Sequence, residues 1–185
     1  MDILLKWNQD LFLLINGYHH PSIDRLMLFF SFTGNGFILG AIVLVLLLFF
    51  DRKKTVRVFS TVLLAGIIGG IVVHLLKWKI PTLRPISIFP EARIIGETLK
   101  MGSFPSGHTQ VCFLSSAVLA DKYRGSWKFL YPWALIVGFS RIYIGAHFPF
   151  DVIVGGIMGY PSGKLVLWLE RANIVAGSEG RSPSK

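Results

Sequence analysis

Apolar residues run through this chain in long blocks separated by short polar connectors. Residues 26–50 contain no charge, and only Ser31, Thr33 and the soft stretch Gly34-Asn35-Gly36 interrupt them. Residues 58–76 admit one titratable side chain, His74. Residues 104–120 are apolar after their first turn, residues 129–146 apart from Ser140 and Arg141, and residues 152–169 apart from Ser162 and Lys164. A membrane-crossing helix needs about 20 mostly apolar residues. The pattern predicts an all-α integral membrane protein, a helical bundle of five transmembrane helices. The connectors are 51–57, 77–103, 121–128 and 147–151, and the long second one is where function is expected.

The first residues follow another rhythm. Asp2, Lys6, Gln9 and Asp10 recur at helical spacing, with Ile3, Leu4, Trp7, Leu11 and Leu14 on the other face. This predicts an amphipathic helix lying in the membrane interface, with a sixth span as the alternative. The charge order argues against a cleaved signal peptide, because the basic cluster follows the first apolar run. Residues 1–175 read as one membrane-embedded domain, and the Gly/Ser/Pro-rich residues 176–185 as a disordered tail. Gly155, Gly159 and Gly163, and likewise Gly66 and Gly70, recur every four residues, which lets membrane helices approach closely.

Composition narrows the class. Hydrophobic residues make up 52% and charged residues 16%, against about 25% charged in soluble domains. One Cys excludes a disulfide framework and a thiolate metal site. The net charge of +9 raises the question of nucleic acid. Its placement answers differently. Arg52, Lys53, Lys54, Arg57, Lys122, Arg124, Lys128, Arg171, Arg181 and Lys185 fall on connectors and tail that share one side of a five-span chain. Such an excess marks the cytoplasmic side. The charge is therefore topology, with no nucleic acid partner implied. The other side, carrying the 77–103 and 147–151 connectors, is expected to face away from the cytoplasm.

Three pieces of sequence meet at that second face. They are Lys77 with Arg84-Pro85, then Pro105-Ser106-Gly107-His108, then Ser140-Arg141 with His147 and Asp151. Lys77, Arg84 and Arg141 are permanent cations, and a charge in a span costs roughly 2.5–3.5 kcal/mol, so it defaults to function. Three cations call for an anion with several oxygens: Arg grips phosphate through a planar fork and Lys acts as a point charge. Ser106 and Gly107 open a helix, whose N-terminus seats phosphate. His147 is a competent nucleophile if Asp151, four residues on, takes its Nδ1 proton and fixes the tautomer. His108 can then protonate the leaving oxygen and later take a proton from water. No carboxylate cluster is present to hold Mg²⁺, so a metal-independent enzyme without cofactor is predicted. Single histidines are commonly structural, and His74 is read as a buried one.

The three-part pattern, complete from Lys77 to Asp151, resembles the type 2 phosphatidic acid phosphatase superfamily, over roughly residues 23 to 170. The resemblance implies a helical membrane bundle, with His147 forming a phosphohistidine, Asp151 as its partner and His108 as the acid. Lys77, Arg84, Ser106, Gly107 and Arg141 would bind the phosphate. Asn16 and Asp24-Arg25 also resemble bacterial members. By resemblance, the substrate is an envelope lipid in the inner membrane, among lipid A 1-phosphate, undecaprenyl diphosphate and phosphatidylglycerophosphate. Head-group selectivity is expected in the long connector, at Arg93, Glu97 and Lys100. A lipid-phosphate binder or transporter that does not hydrolyse is the other reading. It would need the cations but not His147 and Asp151.

Overall fold

The computed structural model describes residues 2–96 and 99–179. In chain order its helices are α1 (Asp2–Gly17), α2 (Pro21–Thr33), α3 (Gly36–Phe50), α4 (Thr55–Lys79), α5 (Pro85–Ile88), α6 (Gly107–Lys122), α7 (Trp127–Tyr143) and α8 (Pro149–Glu179). Among the described residues, extended segments meet only at an antiparallel bridge between Leu83 and Met101.

Helix α6 is the hub, packed against α3, α4, α7 and α8. Its buried residues, Thr109, Gln110, Cys112, Leu114, Ser115, Ser116, Ala117 and Val118, lie all round the helix and are mostly small, so neighbours close in from every side. Helix α8 approaches along its glycine stripe. A Cβ on Gly155, Gly159 or Gly163 would lie 2.5, 2.2 or 2.7 Å from the backbone oxygens of Ser106, Gln110 and Leu114. The second expected stripe behaves differently. Gly66 and Gly70 face open space, and Gly69 meets the Gln110 side chain. One residue along a helix turns the face by about 100°, so repeat spacing alone could not tell the inner glycine from the outer ones. Leu63, Leu64, Ile67, Ile71 and Leu75 of α4 are exposed together, as a lipid-facing surface requires.

Helices α4 and α8 are each long and apolar enough to cross a membrane, and α2 with α3 passes the same criterion as a pair bent by 75°. Residues 26–50, expected as one span, are thus broken. The break has a local cause: Asn35 Oδ1 accepts from the backbone N–H of Phe37 at 3.0 Å and Ile38 at 3.4 Å, starting α3 afresh. Asn35→Ala is expected to cost about 1 kcal/mol, read as a lower melting midpoint in detergent with unchanged activity per folded molecule. Helices α6 and α7 have 16 and 17 residues, short of the usual span length. By length and composition the described residues hold two crossing helices, or three with the bent pair counted as one span. The apolar run at 104–120 is shortened as a helix because its first residues, Phe104 to Ser106, lie outside α6, which starts at Gly107.

Both ends of α4 carry charge. Arg57 and Lys77 stand about 30 Å apart at 1.5 Å per residue. At the Arg57 end, Glu170 pairs with Arg57 and with Lys122, each at 2.6 Å, and Asp121 pairs with Arg171 at 2.7 Å. His74, expected to be buried, is exposed. Helix α8 takes in the first residues of the expected tail 176–185, while residues 180–185, like Glu97, lie outside the described residues.

Candidate active site

The Lys77 end of the bundle collects the chemistry. Lys77 lies in the last turn of α4, and its ammonium donates to the Gly102 carbonyl. Arg84 precedes α5 and is almost buried; Nε donates to the Met101 carbonyl at 3.1 Å and Nη1 to that of Ala146 at 3.4 Å. The two arms of the connector clip together here: Arg84 N–H donates to Lys100 O at 2.9 Å, Gly102 N–H to Thr82 O at 2.9 Å, and Phe104 N–H to Thr82 Oγ1 at 2.8 Å. Ser106 stands at the N-terminus of α6, where its hydroxyl accepts from Thr109 Oγ1 at 3.1 Å. Arg141 ends α7, buried, with Nη1 donating to Ser31 Oγ of α2 at 2.6 Å.

The turn after α7 presents His147. Gly145 has φ +83°, and a Cβ there would lie 2.4 Å from the Arg93 carbonyl oxygen, so both conformation and space require glycine. Ala146 and His147 N–H then donate back to Arg141 O at 3.0 and 3.2 Å. Helix α8 begins at once with Pro149, whose missing N–H costs nothing there. Asp151 reaches back to accept the Phe148 N–H at 2.9 Å, one half of a capping box. The same oxygen accepts the Ser103 hydroxyl at 2.5 Å and lies 3.5 Å from His147 Nδ1. The expected His147–Asp151 contact is therefore in place but long for a hydrogen bond, and the carboxylate's shorter bonds go to Ser103 and Phe148. Burial of this connector histidine, 2% exposed, pushes its imidazole below the ordinary range, and Asp151 acts in the opposite direction.

His108, in the first turn of α6, lies within electrostatic reach of Arg141, His147, Arg84 and Lys77. All eight positions expected from sequence thus gather at one end of the bundle, drawn from α4, the long connector, α6, α7, the α7–α8 turn and the first turn of α8. Arg93, one of the connector residues expected to read the head group, is instead paired within the protein. Its guanidinium forms a two-pronged pair with Asp24, whose Oδ1 also accepts the Tyr143 hydroxyl at 2.7 Å. The Asp24 carboxylate holds the Arg93 guanidinium above its ordinary value. Ser103, Ser31 and Asn8 also contact the site or its supports, and no motif spacing singles them out; Asn16, which the resemblance to bacterial members marks, contacts the turn after α7 as well. Among the described residues no group of three or more His, Cys, Asp or Glu side chains could hold a metal ion.

A family model described as the PAP2 superfamily matches residues 54–174. The chain belongs to that superfamily. The PAP2 match covers every position of the three-part pattern. The chain is 27% identical over 156 residues to an undecaprenyl-diphosphatase of Sulfolobus acidocaldarius, covering 84% of this chain and 74% of that one. It is 32% identical over 151 residues to a lipid A 1-phosphatase of Rhizobium etli, covering 69% of this chain and 63% of that one. The crystal structure of Aquifex aeolicus LpxE superposes with a TM-score of 0.75 at 32% identity, over 85% of this chain and 93% of that one. This PAP2 protein is a membrane lipid phosphatase, a hydrolase of phosphoric esters.

Proposed function

We propose that the site cleaves the phosphate of an envelope lipid in two steps, through a phosphohistidine and without a metal ion. His147 turns Nδ1 toward Asp151, which leaves Nε2 as the attacking nitrogen. Nε2 bonds to the terminal phosphorus as its bond to the leaving oxygen breaks, the lipid hydroxyl oxygen of a monoester or the bridging oxygen of a diphosphate, and His108 gives its proton to that oxygen. Water then attacks the phosphohistidine, His108 takes the water's proton, and inorganic phosphate leaves with His147 restored. Lys77, Arg84, Arg141 and the first-turn backbone at Ser106 and Gly107 hold the phosphoryl oxygens. They carry the charge stabilisation that metal ions supply elsewhere. The observation that carries this reading is the convergence of three cations, two histidines and Asp151 at one end of the bundle.

The substrate is an undecaprenyl diphosphate, a lipid A 1-phosphate or a phosphatidylglycerophosphate; two of these match what the relatives' names state. The protein sits in the inner membrane with this site on the extracytoplasmic face. The basic cluster around Arg57, Lys122 and Arg171 at the far end of α4 and α8 supports that orientation. The outward residues Ile3, Leu4, Trp7 and Leu14 support an interfacial seat for α1. Lys100, exposed on the long connector, takes over the head-group contact expected of Arg93.

The test is phosphate release by purified protein, with EDTA present, from a panel of these three lipids. Release from one of them at a rate EDTA does not change supports the reading and names the substrate. Loss of all release in EDTA, restored by Mg²⁺, would sink the metal-independent mechanism. A finer expectation concerns Ser103. Ser103→Ala removes the 2.5 Å hydrogen bond to the buried Asp151 carboxylate, a charged-group bond worth about 1.5–3 kcal/mol. Steady-state kinetics should show kcat down roughly tenfold with KM little changed.

A further inference from the structure

We infer that α1 is a clamp on the His147 turn, and that Asn8 and Asn16 are positioning residues for the reaction; this rests on the reading of His147 as nucleophile. Asn8, Phe12 and Asn16 lie four residues apart on one face of α1, and all three are buried. Asn16 Nδ2 donates to the carbonyls of Tyr143 at 2.9 Å and Arg93 at 2.8 Å, and its Oδ1 accepts the Arg93 N–H at 2.8 Å. Asn8 Oδ1 accepts the Phe150 N–H at 2.9 Å. Phe12 packs edge-on against Phe148, with ring centroids 5.2 Å apart. The two amides therefore grip the chain on either side of His147, at Tyr143 and at Phe150.

The start of α8 shows why an outside residue is needed. The first N–H groups of a helix have no partner within it. Phe148 N–H goes to Asp151 Oδ2, Pro149 has none, and Asp151 N–H goes to Phe148 O at 3.1 Å. The Phe150 N–H goes to Asn8, 142 residues away in sequence. Phe148, at the N-cap position, has no side-chain oxygen, so Asn8 serves as the cap from another helix. Apolar packing would bury α1 equally well. Two buried amides bonded to chosen backbone atoms instead set the height and rotation of the turn. That turn carries the attacking nitrogen, and misplacement by about 1 Å can cost 10²-fold in rate.

The experiment compares wild type, Asn8→Ala and Asn8→Asp in two measurements. One is kcat and KM on the lipid phosphate that wild type cleaves. The other is diethyl pyrocarbonate labelling of His147, followed by mass spectrometry, which needs no turnover. Asn8→Ala is expected to lower kcat about tenfold or more, with KM within about twofold, and to speed His147 labelling severalfold. Asn8→Asp keeps the oxygen and places a negative charge at a helix N-terminus, where it is favourable, so both readouts should return close to wild type. Asn8→Gln, which shifts the oxygen by one methylene, takes the place of Asn8→Ala if that variant does not accumulate. Wild-type kinetics and labelling in Asn8→Ala, or equal damage in Asn8→Asp, would overturn the clamp. Full turnover by His147→Ala would instead overturn the nucleophile reading, and the labelling rates would still decide whether α1 holds the turn.

Discussion

His147→Ala is expected to abolish phosphate release, with a loss of about 10⁴-fold or more, the scale seen when a covalent nucleophile is removed. The size follows from the chemistry. Without Nε2 no phosphohistidine forms, and His108 and the three cations retain only binding and charge stabilisation. Alanine leaves Lys77, Arg84 and Arg141 in place, so the lipid phosphate still binds. The measurements are phosphate release and binding of the same lipid by wild type and variant, side by side. A ³¹P signal of phosphohistidine, trapped at alkaline pH in wild type and missing in the variant, identifies the intermediate. Release by His147→Ala at the wild-type rate would remove His147 from the mechanism. Binding without release by wild type as well would favour the non-hydrolytic binder or transporter.

Gly159→Val is expected to cost the most stability of any single change at the α6–α8 contact. A Cβ at this position would lie 2.2 Å from the Gln110 carbonyl oxygen and 3.0 Å from Phe113 Cβ. The obstacle is helix backbone, which cannot swing aside as a side chain can. Overpacking costs about 1–3 kcal/mol and occasionally more, and the upper end applies where backbone must move. Activity is expected to fall with stability, because the same contact joins Ser106 N–H to Asp151 O at 2.9 Å and so aligns the proposed phosphate seat with the proposed partner of His147. Gly66→Ala and Gly70→Ala are the controls. Both positions face open space, and alanine is the better helix former by about 1 kcal/mol. Melting in detergent should separate the two sets. A Gly159→Val protein that melts like wild type would mean that α8 does not seat against α6 through this stripe.

The contrast between those glycines shows how far a sequence can be read. Equal spacing made both stripes look like packing faces, yet only tertiary contact distinguishes Gly159, against backbone, from Gly66, with open space beside it. The broken helix at Asn35 was half legible: Gly34-Asn35-Gly36 marked a soft spot, but the 75° bend and the close seat of Gly34, where a Cβ would lie 2.3 Å from Val137 of α7, are seen only in the fold. Arg93 was misjudged for a similar reason. A charge in a long connector beside the site looks available to a head group until Asp24, 69 residues away, is found paired with it.

What the sequence offered by itself was the apolar, all-helical frame and the eight residues, from Lys77 to Asp151, proposed for the site. Both are local: runs of apolar side chains mark the helices, and the residues proposed for the site lie at the ends of those runs or in the connectors between them. Tertiary structure alone decided what holds those groups. The bonds from Ser103 to Asp151, from Ser31 to Arg141, and from Asn8 and Asn16 to the His147 turn join residues 48 to 142 positions apart. Serine and asparagine are common, and although Asn16 stood out by resemblance, nothing in the sequence named the atoms that any of the four would meet. Their roles arise only when folding leaves a buried N–H, carbonyl or carboxylate within reach, and an unmet polar group in the interior costs too much to leave alone.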